Sequence, residues 1–218
     1  MKRYILNDLE AWKTSKRRKP LILRGARQVG KTWILKEFGK TYKNGYIYIN
    51  LDQEENYVQL FESTKDIDRL VDMISMASGH QMTTDTLLII DEIQTSGAAL
   101  NCLKYFCENR PEYHVAAAGS LLGLHLSDGF PVGKVNFLEM YPMTFSEFLM
   151  ACGDDNLLAY MDSISEIAPI PDVFGKPLME KLKMYYVVGG MPEAVKEWSE
   201  EKNEAILKEH LRTPYRYA

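Results

Sequence analysis

Sulfur and imidazole ligands are scarce in this chain. Its 218 residues include three cysteines, Cys102, Cys107 and Cys152, an odd count without paired spacing. That argues against a disulfide framework or a zinc site and leaves reduced thiols. The four histidines, His80, His114, His125 and His210, are scattered and show no ligand spacing. No apolar run reaches the length of a signal peptide or a membrane span. The expected compartment is therefore the cytoplasm, and a membrane is not an expected partner. An excess of one charge is lacking as well: 26 Lys and Arg stand against 30 Asp and Glu, a net charge of -4. Composition thus makes no global case for nucleic-acid binding. Internal repeats and low-complexity tracts are absent.

What is present is ordinary globular material, 46% hydrophobic and 26% charged, enough for one substantial core with a small addition. Residues 1–19 read as a short helix, "YILNDLEAWK", and a connector that carries Lys13, Lys16, Arg17, Arg18 and Lys19. That basic run is expected to be a solvated connector, with a nucleic-acid or partner patch as the sharper alternative. Apolar strands then alternate with helices. "PLILRG", "GYIYINLD", "TLLIIDE", "YHVAAAGS" and "GKVNFLEM" have strand character, and "KTWILKEFGKTY", most of 53–79 and "AALNCLKYFCEN" have helix character. Such alternation predicts an α/β fold, a parallel sheet covered by helices on both faces, over residues 20–142.

Residues 143–218 change to a helical, lid-like appendage. In "TFSEFLMACG", Thr144 and Glu147 have the spacing of a capping box. "LMEKLKMYYVVGGMPEAVKEW" predicts two helices separated at Gly189-Gly190, with Pro192 in a first turn. Tyr42, Tyr46 and Tyr48 are expected to serve sheet and core packing.

The chemistry concentrates in "GARQVGKT", Gly25 to Thr32, which fits the phosphate-binding loop pattern GxxxxGK[ST] between a strand and a helix. Gly25 and Gly30 allow the backbone to wrap a polyphosphate. Ala26, Arg27, Gln28, Val29 and the helix start at Lys31, Thr32 and Trp33 complete the cradle of backbone N–H groups. The Lys31 ammonium can reach the outer phosphates, and the Thr32 hydroxyl can ligate Mg²⁺. A second signal is "TLLIIDE", which puts Asp91 and Glu92 at the end of an apolar strand, where parallel sheets bind ligands. Asp91 is expected in the Mg²⁺ shell, through water, and Glu92 as the group that polarises an attacking water. Ser120 ends another strand and Gln94 follows the acidic pair. Ser120 is a candidate to sense the γ-phosphate or orient the water, and Gln94 to contact the water or Ser120.

Taken together, "RGARQVGKT", "LLIIDEIQ", "ALNCLKYFCE", "AAAGSLLG", "PVGKVNFLEMYPMTFSEFL" and "VVGGMPEAV" resemble the bacterial and archaeal AAA-type ATPases that carry a DUF4143 C-terminal domain. The resemblance implies an additional-strand P-loop fold in which the Ser120 strand lies between the P-loop strand and the Asp91 strand. It implies a sensor role for Ser120, nucleotide and Mg²⁺ roles for Lys31, Thr32, Asp91 and Glu92, and ATP rather than GTP as ligand. It also implies a further C-terminal domain, most of which this chain is expected to lack after "LRTPYRYA". The expected activity is Mg²⁺-dependent hydrolysis of ATP to ADP and phosphate, driving a conformational switch. A nucleotide-dependent interaction module and a DNA-associated ATPase are the alternatives. A homo-oligomer, a protein partner and nucleic acid all stay open as partners. No arginine finger stands in "SLLGLHLSDGFPVGKVNF", where Lys134 is the sole cation; Arg110, at the end of the preceding helix, is the other candidate.

Overall fold

The computed structural model describes residues 1–120 and 133–201, which divide into two compact units. The larger unit, Ile5–Tyr141, is built on five parallel strands: β1 (Leu21–Gly25), β2 (Tyr46–Asn50), β3 (Leu87–Asp91), β4 (His114–Ser120) and β5 (Asn136–Met140). They lie in the order β2-β3-β4-β1-β5, every pair parallel. The Ser120 strand does lie between the P-loop strand and the Asp91 strand. All five residues of β3 are buried. In β4, Val115 to Ala118 have no exposed surface. The three alanines there let helices approach a strand that has neighbours on both sides.

Helices close both faces: α1 (Ile5–Thr14), α2 (Lys31–Gly39), α3 (Glu55–Ser63), α4 (Ile67–Ser78) and α5 (Gly97–Asn109). Apolar spacing drives each of them inward. In α1, Ile5, Leu9 and Trp12 recur at helical intervals and are buried. Trp12 packs 6.3 Å from Phe38 of α2, and its indole N–H donates to Lys19 O at 2.8 Å. In α4, Leu70, Val71 and Ile74 do the same, after Asp66 caps the helix through the amides of Asp68 and Arg69.

The basic run is not simply solvated. Lys13 Nζ donates to Thr41 O at 3.2 Å and lies 4.0 Å over the Tyr42 ring. Arg18 Nη2 donates to the carbonyls of Pro111 and Glu112 at 2.9 and 3.0 Å, and Nη1 donates to His114 Nε2 at 2.5 Å. Lys19 Nζ donates to Gly133 O at 2.6 Å. These cations fasten the entry to β1 onto its neighbours, and Lys16 and Arg17 alone stay exposed from the run. Arginine can only donate and a carbonyl can only accept, so His114 is the neutral tautomer with its proton on Nδ1, facing Thr84 O at 3.0 Å. Burial first, and the Arg18 charge second, lower its pKa to about 4. The three cysteines form no disulfide, and burial pushes the Cys102 thiol up to about 11.

The second unit joins Met1–Tyr4 to the chain from Pro142 onward. Its helices are α6 (Phe145–Cys152), α7 (Asp155–Asp162), α8 (Asp172–Val188) and α9 (Pro192–Glu201). The capping box forms: Thr144 Oγ1 accepts from Glu147 N at 3.2 Å, and Glu147 Oε2 accepts from Thr144 N at 3.0 Å. Glu147 is buried, and its other oxygen accepts from Arg3 Nε at 3.0 Å and Tyr4 N at 2.8 Å. Met143, Phe148 and Val195 form the small core. The break between α8 and α9 packs Gly190 so closely on Met143 that a Cβ there would lie 2.4 Å from a backbone oxygen.

Candidate functional site

The segment 25–30 turns the chain from the end of β1 into α2. Its first glycine is required by packing, because a Cβ on Gly25 would sit 2.2 Å from Met140 O of β5. The turn itself runs through two left-handed residues, Gln28 at φ 65° and Gly30 at φ 92°. Alternation of this kind aims successive N–H groups into one concavity. Val29 is fully buried and anchors the loop, whereas Ala26, Arg27 and Gln28 are exposed. Gly30 caps α2 without any side-chain hydrogen bond. The first-turn amides therefore have no capping side chain, and the helix presents its positive end.

Lys31 folds over the loop. Its ammonium donates to Gly25 O at 2.9 Å and Ala26 O at 2.7 Å. Burial lowers its pKa, against the opposing pull of Glu92 and then Asp91. Thr32 Oγ1 donates to Asp91 Oδ2 at 2.6 Å, linking the helix start to the end of β3. Asp91 is 4% exposed. Its Oδ1 accepts from Glu92 N at 3.0 Å, and its Oδ2 also accepts from the Tyr48 hydroxyl at 3.1 Å. No cation pairs with this carboxylate among the described residues. Tyr48, assigned to packing on sequence, thus belongs to the site; burial, with Asp91 second, pushes its phenol up to about 12. The signal that could have found it is alternation along β2, which puts Tyr48 on the same face as Asn50, the register partner of Asp91.

Glu92 sits at φ 51° and ψ 45° and starts a 3₁₀ turn, Ile93–Thr95. Its carboxylate accepts from the Gln94 amide, and Gln94 Oε1 is buried without a partner. Ser120 ends β4 beside Gly25 in register. Trp33 is 44% exposed on α2. Arg24 is turned from the loop into β5, where it pairs with Glu139 at 2.9 Å and stacks 4.1 Å over Phe137. The two candidate finger cations are both engaged: Arg110 donates to Asp68 through Nε and Nη2, and Lys134 pairs with Glu108 at 2.9 Å. Residues 121–132 and 202–218, with His125, His210 and the final "LRTPYRYA", lie outside the described residues.

A strand order with β4 between β1 and β3, a glycine loop from β1 into α2 and an acidic pair ending β3 define the additional-strand P-loop class. The chain belongs to the AAA domain family AAA_14, which matches residues 17–149, more than half of its length. Its class is accordingly a nucleotide-binding, ATPase-type domain. A comparison with curated protein sequences finds no match. Among solved structures, the chain is similar to C. elegans PCH-2, with a TM-score of 0.51 and 14% identity, over 95% of this chain and 66% of that one. It is also similar to Drosophila ORC bound to DNA, with a TM-score of 0.51 and 15% identity, over 97% of this chain and 67% of that one. At such identities the likeness is one of fold. The chain spans just under two thirds of the first relative's length.

Proposed function

We propose that this AAA domain binds Mg²⁺–ATP and hydrolyses it to ADP and phosphate, using the cycle to drive a conformational switch. The observation that carries the reading is the 2.6 Å hydrogen bond from Thr32 Oγ1 to Asp91 Oδ2. It brings the two oxygen donors expected of a Mg²⁺ site together from segments far apart in sequence. The residues fit a hard cation: a carboxylate 4% exposed accepts only from neutral donors and stands beside a hydroxyl oxygen, the oxygen-donor set that Mg²⁺ takes. Thr32 would hold Mg²⁺ directly and Asp91 through water, and the ion when bound would neutralise charge on the phosphate oxygens.

The chain's own residues supply the rest. The loop amides and the α2 N-terminus bind phosphate oxygens. Lys31 exchanges its carbonyl partners for the outer phosphates. Glu92 accepts the proton of the attacking water, once it is released from Gln94, and Ser120 lies at the strand end nearest the loop. The choice of ATP, the sensor role of Ser120, a DUF4143-type C-terminal domain and a cytoplasmic setting all follow from the family resemblance and belong to this proposal. Lys31→Ala is expected to weaken ATP binding at least about tenfold in calorimetry, since charge-assisted contacts to phosphate are lost. Wild-type affinity in that variant would overturn the phosphate role.

A second reading, a nucleotide-dependent interaction module with little turnover, is favoured by the ion pairs of Arg110 and Lys134. A finger drawn from either must first leave its carboxylate. The two readings differ in whether turnover rises with protein concentration. A nucleic-acid partner would draw from the basic run mainly on Lys16 and Arg17.

A further inference from the structure

We propose that Tyr48 is a positioning residue for the Asp91 carboxylate and, through it, sets how tightly a divalent cation is held at Thr32 and Asp91. The inference rests on the Mg²⁺–ATP reading above and adds a residue to it. Asp91 accepts three hydrogen bonds. One comes from the adjacent Glu92 amide and one from Thr32 Oγ1. The third comes from the Tyr48 hydroxyl, on a different strand. Oδ2 thus receives two donors, and these have different tasks. The Thr32 hydroxyl must also offer its lone pair to a cation. The Tyr48 hydroxyl, which also meets the Asn50 side chain, is not called on to ligate a cation and can hold Oδ2 whether or not one is present.

Tyr48 is itself fixed. The Lys36 ammonium stands 3.4 Å from the centre of its ring. Lys36 lies four residues beyond Thr32 on α2 (Lys31–Gly39), one helical turn away on the same face. Neighbouring positions of α2 therefore clasp the Tyr48–Asp91 pair, Thr32 at the carboxylate and Lys36 at the ring. A cation over the ring face draws on its electron density and makes the phenol O–H a better donor. A hydrogen bond from outside the ligand set restricts the rotation of a ligating carboxylate, and loss of such a partner commonly costs 10–100-fold in metal affinity.

The test is a Mg²⁺ titration of the binding of a non-hydrolysable ATP analogue at fixed concentration, on the wild type and on Tyr48→Phe, Lys36→Met and Asp91→Asn. Phenylalanine keeps the ring and removes the hydroxyl alone. Tyr48→Phe is expected to raise the Mg²⁺ midpoint about tenfold, with analogue affinity in the absence of Mg²⁺ and the melting temperature near wild type. Lys36→Met, which leaves the hydroxyl in place, is expected to raise the midpoint about two- to fivefold. An unchanged midpoint in Tyr48→Phe, beside a raised one in Asp91→Asn, overturns the role of Tyr48 and leaves the Mg²⁺ reading standing. An unchanged midpoint in Asp91→Asn overturns both.

Discussion

Glu92 keeps φ 51° and ψ 45°, a conformation that costs a non-glycine residue about 1–2 kcal/mol. Gln28 in the loop does the same at φ 65°. Strain at two non-glycine positions, both beside Lys31 and Asp91 in the fold's ligand-binding corner, fits residues selected for where they point. Gly25 shows the opposite economy. Its φ is unremarkable, but Met140 O occupies the space of a side chain. Gly25→Ala is expected to destabilise the larger unit by about 2 kcal/mol or more, because the obstacle is backbone and cannot rotate away. Urea denaturation measures this, and unchanged stability would contradict the close contact of β1 with β5. The candidate loop and the acidic pair stood out in sequence because their residue types recur at fixed spacing between a strand and a helix. Tyr48 did not, because its role depends on strand register, and Tyr42, Tyr46 and Tyr48 look alike without it.

Elements whose sequence carries a local signal stood out. The five strands were readable as apolar runs, and the Thr144–Glu147 box announced α6. Others carried weak or contrary signals. Helix α7, eight residues with none buried, has no stripe to betray it. Helix α8 begins at Asp172, ahead of Gly175 and Pro177, two residues that argue against helix. Pro177 lies inside the helix, where its missing N–H forfeits one backbone bond. Glu147 holds more than its box, since the carboxylate also meets Arg3 at 5% and 4% side-chain exposure. Glu147→Ala removes the box and leaves a buried guanidinium without this carboxylate. We expect a loss of about 3 kcal/mol or more in the helical unit, followed by hydrogen exchange of α6. Unaltered protection there would show that the pair and the box contribute little.

For the molecule as a whole, alternation gave a parallel sheet but could not order its strands. The order came with the family resemblance, and it decides the site: with β4 between β1 and β3, Gly25 meets Ser120 while Asp91 lies one strand further on. Helix α2 then bridges that interval by the Thr32–Asp91 hydrogen bond. The basic run misled for a similar reason, since its partners Pro111, Glu112 and Gly133 are distant in sequence. We propose that this arrangement turns over ATP through Glu92. The direct test is steady-state ATP hydrolysis by the wild type and Glu92→Gln over a protein-concentration series, with nucleotide binding followed in parallel. Glu92→Gln is expected to bind ATP as the wild type does and to hydrolyse it at least about a hundredfold more slowly. Hydrolysis by Glu92→Gln at the wild-type rate would contradict the proposal.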